Sequence, residues 1–194
     1  MQTALILANI GKYIDLQAEE VAFFVSLLKE KQVKRKEHLL REGEICFYSI
    51  FVNAGCLRSY TIDKNGSEHI LQFAPSDYWI TDVYSMLQKQ PGELNIDALK
   101  DTEVLLLHID DREKLMREVP RFERFFRINA ENSLIIFCQR ILENLSVPAR
   151  DRYLLFRTRY PDLVEQLPQK QIAAYIGVTP EFLSKMRAEM LRKP

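Results

Sequence analysis

No run of this sequence is long and apolar enough to cross a bilayer. The longest stretch without a charged side chain, Ile45 to Leu57, has 13 residues, against the roughly 20 that a membrane-spanning helix needs. Glycine and proline are sparse, at six and eight in 194 residues, which excludes collagen-like and low-complexity architectures. Cysteine is sparser still. Cys46, Cys56 and Cys138 are scattered, odd in number and without C-x-x-C spacing, which excludes a zinc or iron-sulfur framework and points to a reducing, cytoplasmic setting. Met1 to Gly11 is apolar but lacks a basic n-region and a small-residue cleavage site, which argues against secretion.

Net charge is absent too, with 27 basic and 27 acidic side chains, yet the balance is uneven along the chain. Positions 146–194 hold nine basic and five acidic residues, whereas positions 1–145 hold 18 and 22. A basic end suits a polyanion partner and equally suits an ordinary solvated face. What remains is a globular composition, 47% apolar and 28% charged, sufficient for a sizeable core.

The hydrophobic period changes twice. Leu16 to Leu28 reads as a short helix, with Asp15 as its cap, Glu19 and Glu20 in its first turn, and Val21, Phe24, Val25 and Leu28 as one stripe. From His38 to Ile109 the pattern is that of short strands: 39–41, 48–52, 57–62, 69–73, 94–99 and 104–109. Between them stand turn residues such as Glu42-Gly43-Glu44, Asn53-Ala54-Gly55, Asp63-Lys64-Asn65-Gly66 and Pro75-Ser76-Asp77. Short strands at this spacing predict an antiparallel β-roll of the jelly-roll kind.

The helical period then returns, giving an α+β chain. Asp110 and Glu113 form a capping-box-like start for a helix to about Glu118, and Pro120 suits the start of the next. From Arg121 to about Leu145 there is no Pro or Gly, and apolar residues exceed what one face requires. Such a helix needs two partners: the roll of its own chain and, across a two-fold axis, the same helix of a second copy.

After Pro148 comes a helix of about ten residues that must stop before Pro161. The stretch Gln169 to Arg187 then reads as two helices joined tightly. Ile172 and Ile176 share one face of the first; Leu183 and Met186 share one face of the second. Gly177 suits a left-handed stop, Thr179 a hydroxyl cap, Pro180 the first helical position, and Ala173 is small where the helices cross. Together they specify a helix-turn-helix whose second helix turns Glu181, Ser184, Lys185 and Ala188 outward.

With those residues in place, the chain resembles the Crp/Fnr transcription regulators. The roll adds Leu39-Leu40-Arg41-Glu42-Gly43-Glu44, Ile50 to Leu57 and Asp63 to Glu68, which look like the family's glycine-punctuated strand turns. The resemblance implies a cyclic-nucleotide-binding-like roll over 1–119, a dimerisation helix over 120–146 and a helix-turn-helix domain over 147–194. It implies as partners a pseudo-palindromic double-stranded DNA operator, a second copy of the chain and RNA polymerase.

The sequence also departs from the family. Members that bind cyclic nucleotides carry a Gly-Glu pair followed about ten residues later by an Arg beside a small hydroxyl residue. The matching positions here are Thr81 and Asp82, then Gly92 and Glu93, and no Arg occurs between Arg58 and Arg112. A cyclic phosphate would meet an acid there instead of a cation. Phe137 and Cys138 stand where some members place polar residues that touch the base. The scattered cysteines do not make an iron-sulfur sensor, and His38, His69 and His108 lack paired metal spacing. The resemblance therefore leaves the effector, and any cofactor, unidentified. Family members continue beyond the reading helix into a β-hairpin wing; here Leu191-Arg192-Lys193 is followed only by Pro194, so the wing is absent or cut away, and Arg192 and Lys193 are candidates for its backbone contacts.

Three functions compete at this stage: a dimeric DNA-reading regulator, a ligand-binding roll whose helical C-terminus mediates protein contacts, and a jelly-roll enzyme. The enzyme needs metal ligands or an activated nucleophile, and the roll has neither an H-x-H pair nor a Gly-flanked Ser or Cys elbow. For DNA, Glu181 can accept from cytosine N4 and Lys185 can donate to guanine O6 or N7. The resemblance places both at base-reading positions, with Pro180 replacing an Arg that some members use. Thr179, Gln169, Lys170, Ser184 and Arg192 suit phosphates.

Overall fold

A computed structural model of the protein describes residues 1–192, Arg192 by its backbone alone. In chain order the elements are α1 (Ala4–Gly11), α2 (Ala18–Ser26), β1 (Leu28–Val33), β2 (His38–Leu40), β3 (Tyr48–Ala54), β4 (Cys56–Ile62), β5 (Glu68–Pro75), β6 (Trp79–Ile80) and α3 (Val83–Gln88). Then follow β7 (Asn95–Ala98), β8 (Thr102–His108), α4 (Ile109–Glu118), α5 (Arg121–Ser146), α6 (Ala149–Arg159), α7 (Gln169–Ile176) and α8 (Pro180–Arg192). The chain divides into two compact units: 1–61 with 71–131, and 62–70 with 132 onward.

In the first unit, strands order as β1-β8-β3-β6 in one four-stranded sheet and β2-β7-β4-β5 in the other. Alternation along β3 and β8 sends side chains to opposite faces. Ile50, Val52 and Val104 join Leu57, Ile96 and Ala98 in the core of the roll. Phe51, Leu105 and Leu107 instead join Ile6, Phe24, Phe122 and Phe125 in a second core beneath the helices. Burying a side chain of this size contributes about 1.5–3 kcal/mol. The two faces of one sheet thus hold both cores together.

Two cap assignments need correction. Gln17, not Asp15, caps α2: its amide donates to Glu20 Oε2 at 2.7 Å, and the two residues form a reciprocal capping box. The helix starts at Ala18, which leaves Asp15 outside the reach of the free amides. His108 caps α4, its Nδ1 accepting from the Asp110 amide at 3.2 Å. Asp110 already lies in the first turn, where its charge favours the positive helix end.

The first part of α5 is anchored by Phe122, Phe125 and Phe126 in the helical core. Further along, Leu134, Ile141 and Leu145 are 62%, 59% and 79% exposed. In the second unit, Phe156, Tyr160 and Tyr175 form an aromatic cluster with ring centroids 5.2–5.7 Å apart. The tip between β4 and β5 belongs to this unit. Asp63 closes it, accepting the amides of Asn65 and Ser67 and facing His69 Nε2 at 3.0 Å, with Gly66 at φ +79°.

Candidate nucleic-acid interface and effector pocket

The helix-turn-helix forms as its residues dictate. Gly177 stops α7 in the left-handed conformation at φ 71°, ψ 43°, which glycine adopts without Cβ strain. Thr179 Oγ1 accepts from the Phe182 amide at 3.2 Å, and Pro180 opens α8. Ile172, Ala173 and Ile176 of α7 are buried, as are Leu183 and Met186 of α8. Those contacts fix the opposite face of α8 outward.

Glu181, Ser184, Lys185 and Ala188 are exposed, at i, i+3, i+4 and i+7 on one side of α8. Pro180 is half-buried at its start, and Thr179 is exposed just before it. With its oxygen accepting a backbone amide, the Thr179 hydroxyl keeps its proton for an outside acceptor. Gln169 and Lys170 are exposed in the first turn of α7, where free amides also point outward. This surface offers an acceptor, a cation and several donors. The side chain of Arg192 and all of Lys193 lie outside the described residues.

Sequence reading missed three structural arginines. Arg140 donates to the Tyr175 carbonyl, Arg152 to the Ile176 and Val147 carbonyls, and Arg159 to Tyr175 Oη and Glu143. Most of their partners lie 16 to 35 positions away, so no local spacing marks them.

In the roll, Thr81, Asp82 and Gly92 come together, but as structure. Asp82 is 3% exposed and caps α3, accepting the Ser85 amide at 3.0 Å. Thr81 Oγ1 donates to the Tyr48 carbonyl at 2.9 Å. A Cβ on Gly92 would overlap Asp82 Oδ2 and lie 2.9 Å from Ser85 Cβ. Glu93 is exposed. A buried carboxylate at this place repels a phosphate.

Arg58 does not supply the missing cation, since it is paired with Asp97. In the same unit, a cleft of about 490 Å³ is lined chiefly by apolar side chains, among them Leu39, Ile45, Cys46, Tyr48 and Leu106, with Lys31 and Glu44 also on its wall. Its size suits a small molecule. Among the described residues, no three His, Cys, Asp or Glu side chains converge as a metal site requires, and no helix is long and apolar enough to cross a membrane.

Residues 30–119 match the family model of the cyclic nucleotide-binding domain. No curated protein matches the sequence. Solved structures do match. The c-di-GMP-responsive global regulator CLP of Xanthomonas campestris has a TM-score of 0.75 at 11% identity, over 91% of this chain and 92% of that one. FixK2 of Bradyrhizobium japonicum has a TM-score of 0.73 at 19% identity, over 86% and 85%. A Crp/Fnr-family transcriptional regulator of Eubacterium rectale has a TM-score of 0.71 at 16% identity, over 92% and 85%. The chain thus has the fold of the Crp/Fnr regulators, with a cyclic nucleotide-binding domain over residues 30–119.

Proposed function

We propose that the protein is a dimeric, sequence-specific DNA-binding transcription regulator that acts in the cytoplasm, with RNA polymerase as a further partner. The observation that carries this reading is the outward face of α8, where Glu181 and Lys185 stand exposed one turn apart on a helix locked by a Gly177 turn. Glu181 accepts from cytosine N4, Lys185 donates to guanine, and Pro180 shapes the approach to the neighbouring base. Thr179, Gln169, Lys170, Ser184 and Arg192 hold phosphates and set the register.

The dimer forms along α5. Ile135, Cys138, Leu142 and Leu145 are all exposed, and their 3-4-3 spacing is that of a two-stranded coiled-coil seam. In functional terms, 1–119 is the effector-type roll, 120–146 the dimerisation helix and 147–194 the DNA-reading segment. The effector is unidentified, with cyclic AMP and cyclic GMP expected not to bind; the apolar cleft beside Leu39 and Leu106 is a candidate place for it.

Selection from random oligonucleotides tests the reading. The expected product is a pseudo-palindrome with half-sites about one helical turn, roughly 34 Å, apart. Repeated selection, also in the presence of cell extract, that enriches no palindrome overturns it in favour of a roll whose helical end contacts proteins. Sedimentation tests the dimer: the wild type sediments as a dimer at micromolar concentration, and a combined Ile135→Glu and Leu142→Glu variant as a monomer.

A further inference from the structure

The last turn of α7 is held by arginines from two other helices, and one of them reaches further. Arg140 Nη2 donates to the Tyr175 carbonyl at 2.9 Å and to the Ile70 carbonyl of β5 at 3.1 Å. Its guanidinium stacks 3.9 Å from the centre of the Tyr175 ring. Arg152 Nε donates to the Ile176 carbonyl at 2.9 Å, and Arg159 Nη1 to Tyr175 Oη at 3.2 Å. Carbonyls at a helix C-terminus lack partners inside the helix and carry its negative end. Cations suit that place, and Arg140 is the one of the three that also grips a strand.

The consequence is geometric. Tyr175 is 5% exposed and packs on Phe156 and Tyr160, while α7 and α8 share the buried contacts of Ile172, Ala173, Leu183 and Met186. A change in the direction of α7 therefore carries α8 with it. The planar guanidinium, with Nη2 bonded to two carbonyls and its face stacked on a ring, fixes direction in a way that a point charge does not. Burial lowers the pKa of Arg140 from the ordinary arginine value, and the two carbonyls solvate its charge in place of water.

We propose that Arg140 is a positioning residue: by bridging Ile70 of β5 and Tyr175 of α7, it fixes the angle between residues 132–146 of α5 and the reading helix, and so sets which half-site spacing the dimer accepts. This rests on the dimeric DNA-reading function proposed above. Two copies of α8 carried on a pair of α5 helices can enter successive major grooves only if each helix holds a fixed angle. A freed α7 lets each copy find its half-site separately, at the cost of discrimination between spacings.

The test uses the full-length protein with Arg140→Met, Arg140→Lys and, as a control of similar stability cost, Ile176→Val. Residual dipolar couplings on the DNA-free protein report the angle directly. One alignment tensor is expected to fit residues 132–146, α7 and α8 in the wild type and in Ile176→Val, with separate tensors needed for both Arg140 variants. On a panel of operators with one or two base pairs added between half-sites, wild type and Ile176→Val should prefer one spacing by about tenfold, and the Arg140 variants by about threefold or less. Binding to a single half-site should not change. A single tensor in Arg140→Met, an intact spacing preference in it, or equal loss of preference in Ile176→Val overturns the proposal. If no palindrome binds at all, the DNA reading fails, and the couplings alone decide whether Arg140 positions α7.

Discussion

Arg58 and Asp97 sit opposite each other across β4 and β7 and pair through two bonds, Nε to Oδ1 at 2.7 Å and Nη2 to Oδ2 at 3.0 Å. Their neighbours Leu57 and Ala98 belong to the roll core, so alternation puts this pair on the other face of the sheet. The arginine of this strand is therefore committed to Asp97, and the place where Asp82 is buried against Gly92 holds an acid. Calorimetry with cyclic AMP or cyclic GMP is expected to give no heat of binding at micromolar concentrations. A micromolar isotherm with either nucleotide would show that another cation reaches the phosphate.

The same pair is a stability element. Arg58 and Asp97 are 6% and 5% exposed, and Arg58 stacks 4.1 Å from the centre of the Tyr60 ring. Removing one member of a buried pair leaves the other charge uncompensated, which costs about 3–5 kcal/mol. Asp97→Leu alone should lower the urea midpoint steeply, and the combined Arg58→Met and Asp97→Leu variant should recover much of the loss. A single variant with an unchanged midpoint would refute this account.

Two glycines with positive φ separate strain from crowding. Gly55 has φ +105°, and a Cβ there would lie 2.7 Å from Thr102 Cα, a backbone atom that cannot swing away. Gly66 has φ +79° with open space around it. Gly66→Ala should cost roughly 1–2 kcal/mol, the penalty of the left-handed conformation alone. Gly55→Ala adds displacement of the β4–β8 approach and should cost more than Gly66→Ala in the same denaturation series. Equal costs would mean that the backbone near Thr102 yields freely.

Much of this fold was legible because its signals are local. Gly177, Thr179 and Pro180 each answer a backbone requirement at their own position, and the alternation of β3 and β8 is carried by consecutive residues. What was not legible depends on partners distant in sequence. The Leu28–Val33 strand reads as polar because four of its six positions are Lys, Glu, Lys and Gln, and it pairs only with β8 in its sheet, as charged edge strands do. The helix of Ala4–Gly11 has no polar stripe to mark it. Trp79–Ile80 is too short to show a period. The sequence offers Asp82 as a pocket residue, and in the structure its carboxylate caps α3; a cap and a ligand contact require the same residue type, so the sequence alone does not show the cap.

Burial pushes the Cys56 thiol up to about 12. At pH 8 it is therefore protonated and slow to alkylate, as thiolate is the reactive form. The folded pKa exceeds the unfolded one, so this contribution to stability is complete below the unfolded value, about 8.5. It is lost progressively as pH rises toward about 12. Cys56→Ala should remove that part of the alkaline loss, seen as a shallower fall of the urea midpoint between about pH 9 and 11. Parallel curves for the two proteins would contradict a raised pKa.

Reading and holding should separate by substitution. Lys185 is exposed in the middle of the outward face of α8, and Lys170 in the first turn of α7. If Lys185 donates to guanine, Lys185→Ala costs on the order of 1–3 kcal/mol at one base pair and relaxes discrimination there. Lys170→Ala should instead weaken all sequences alike and reduce the slope of log K against log salt by about one per subunit, since one fewer counterion is released. Glu181→Ala provides the third point, with lost preference for cytosine and, because a negative charge is removed, no loss of nonspecific affinity. The three variants are measured on the selected operator and on a scrambled duplex at several salt concentrations. A uniform effect of Lys185→Ala on both duplexes would move that residue from base reading to phosphate holding. No effect of any of the three would remove α8 from the DNA interface.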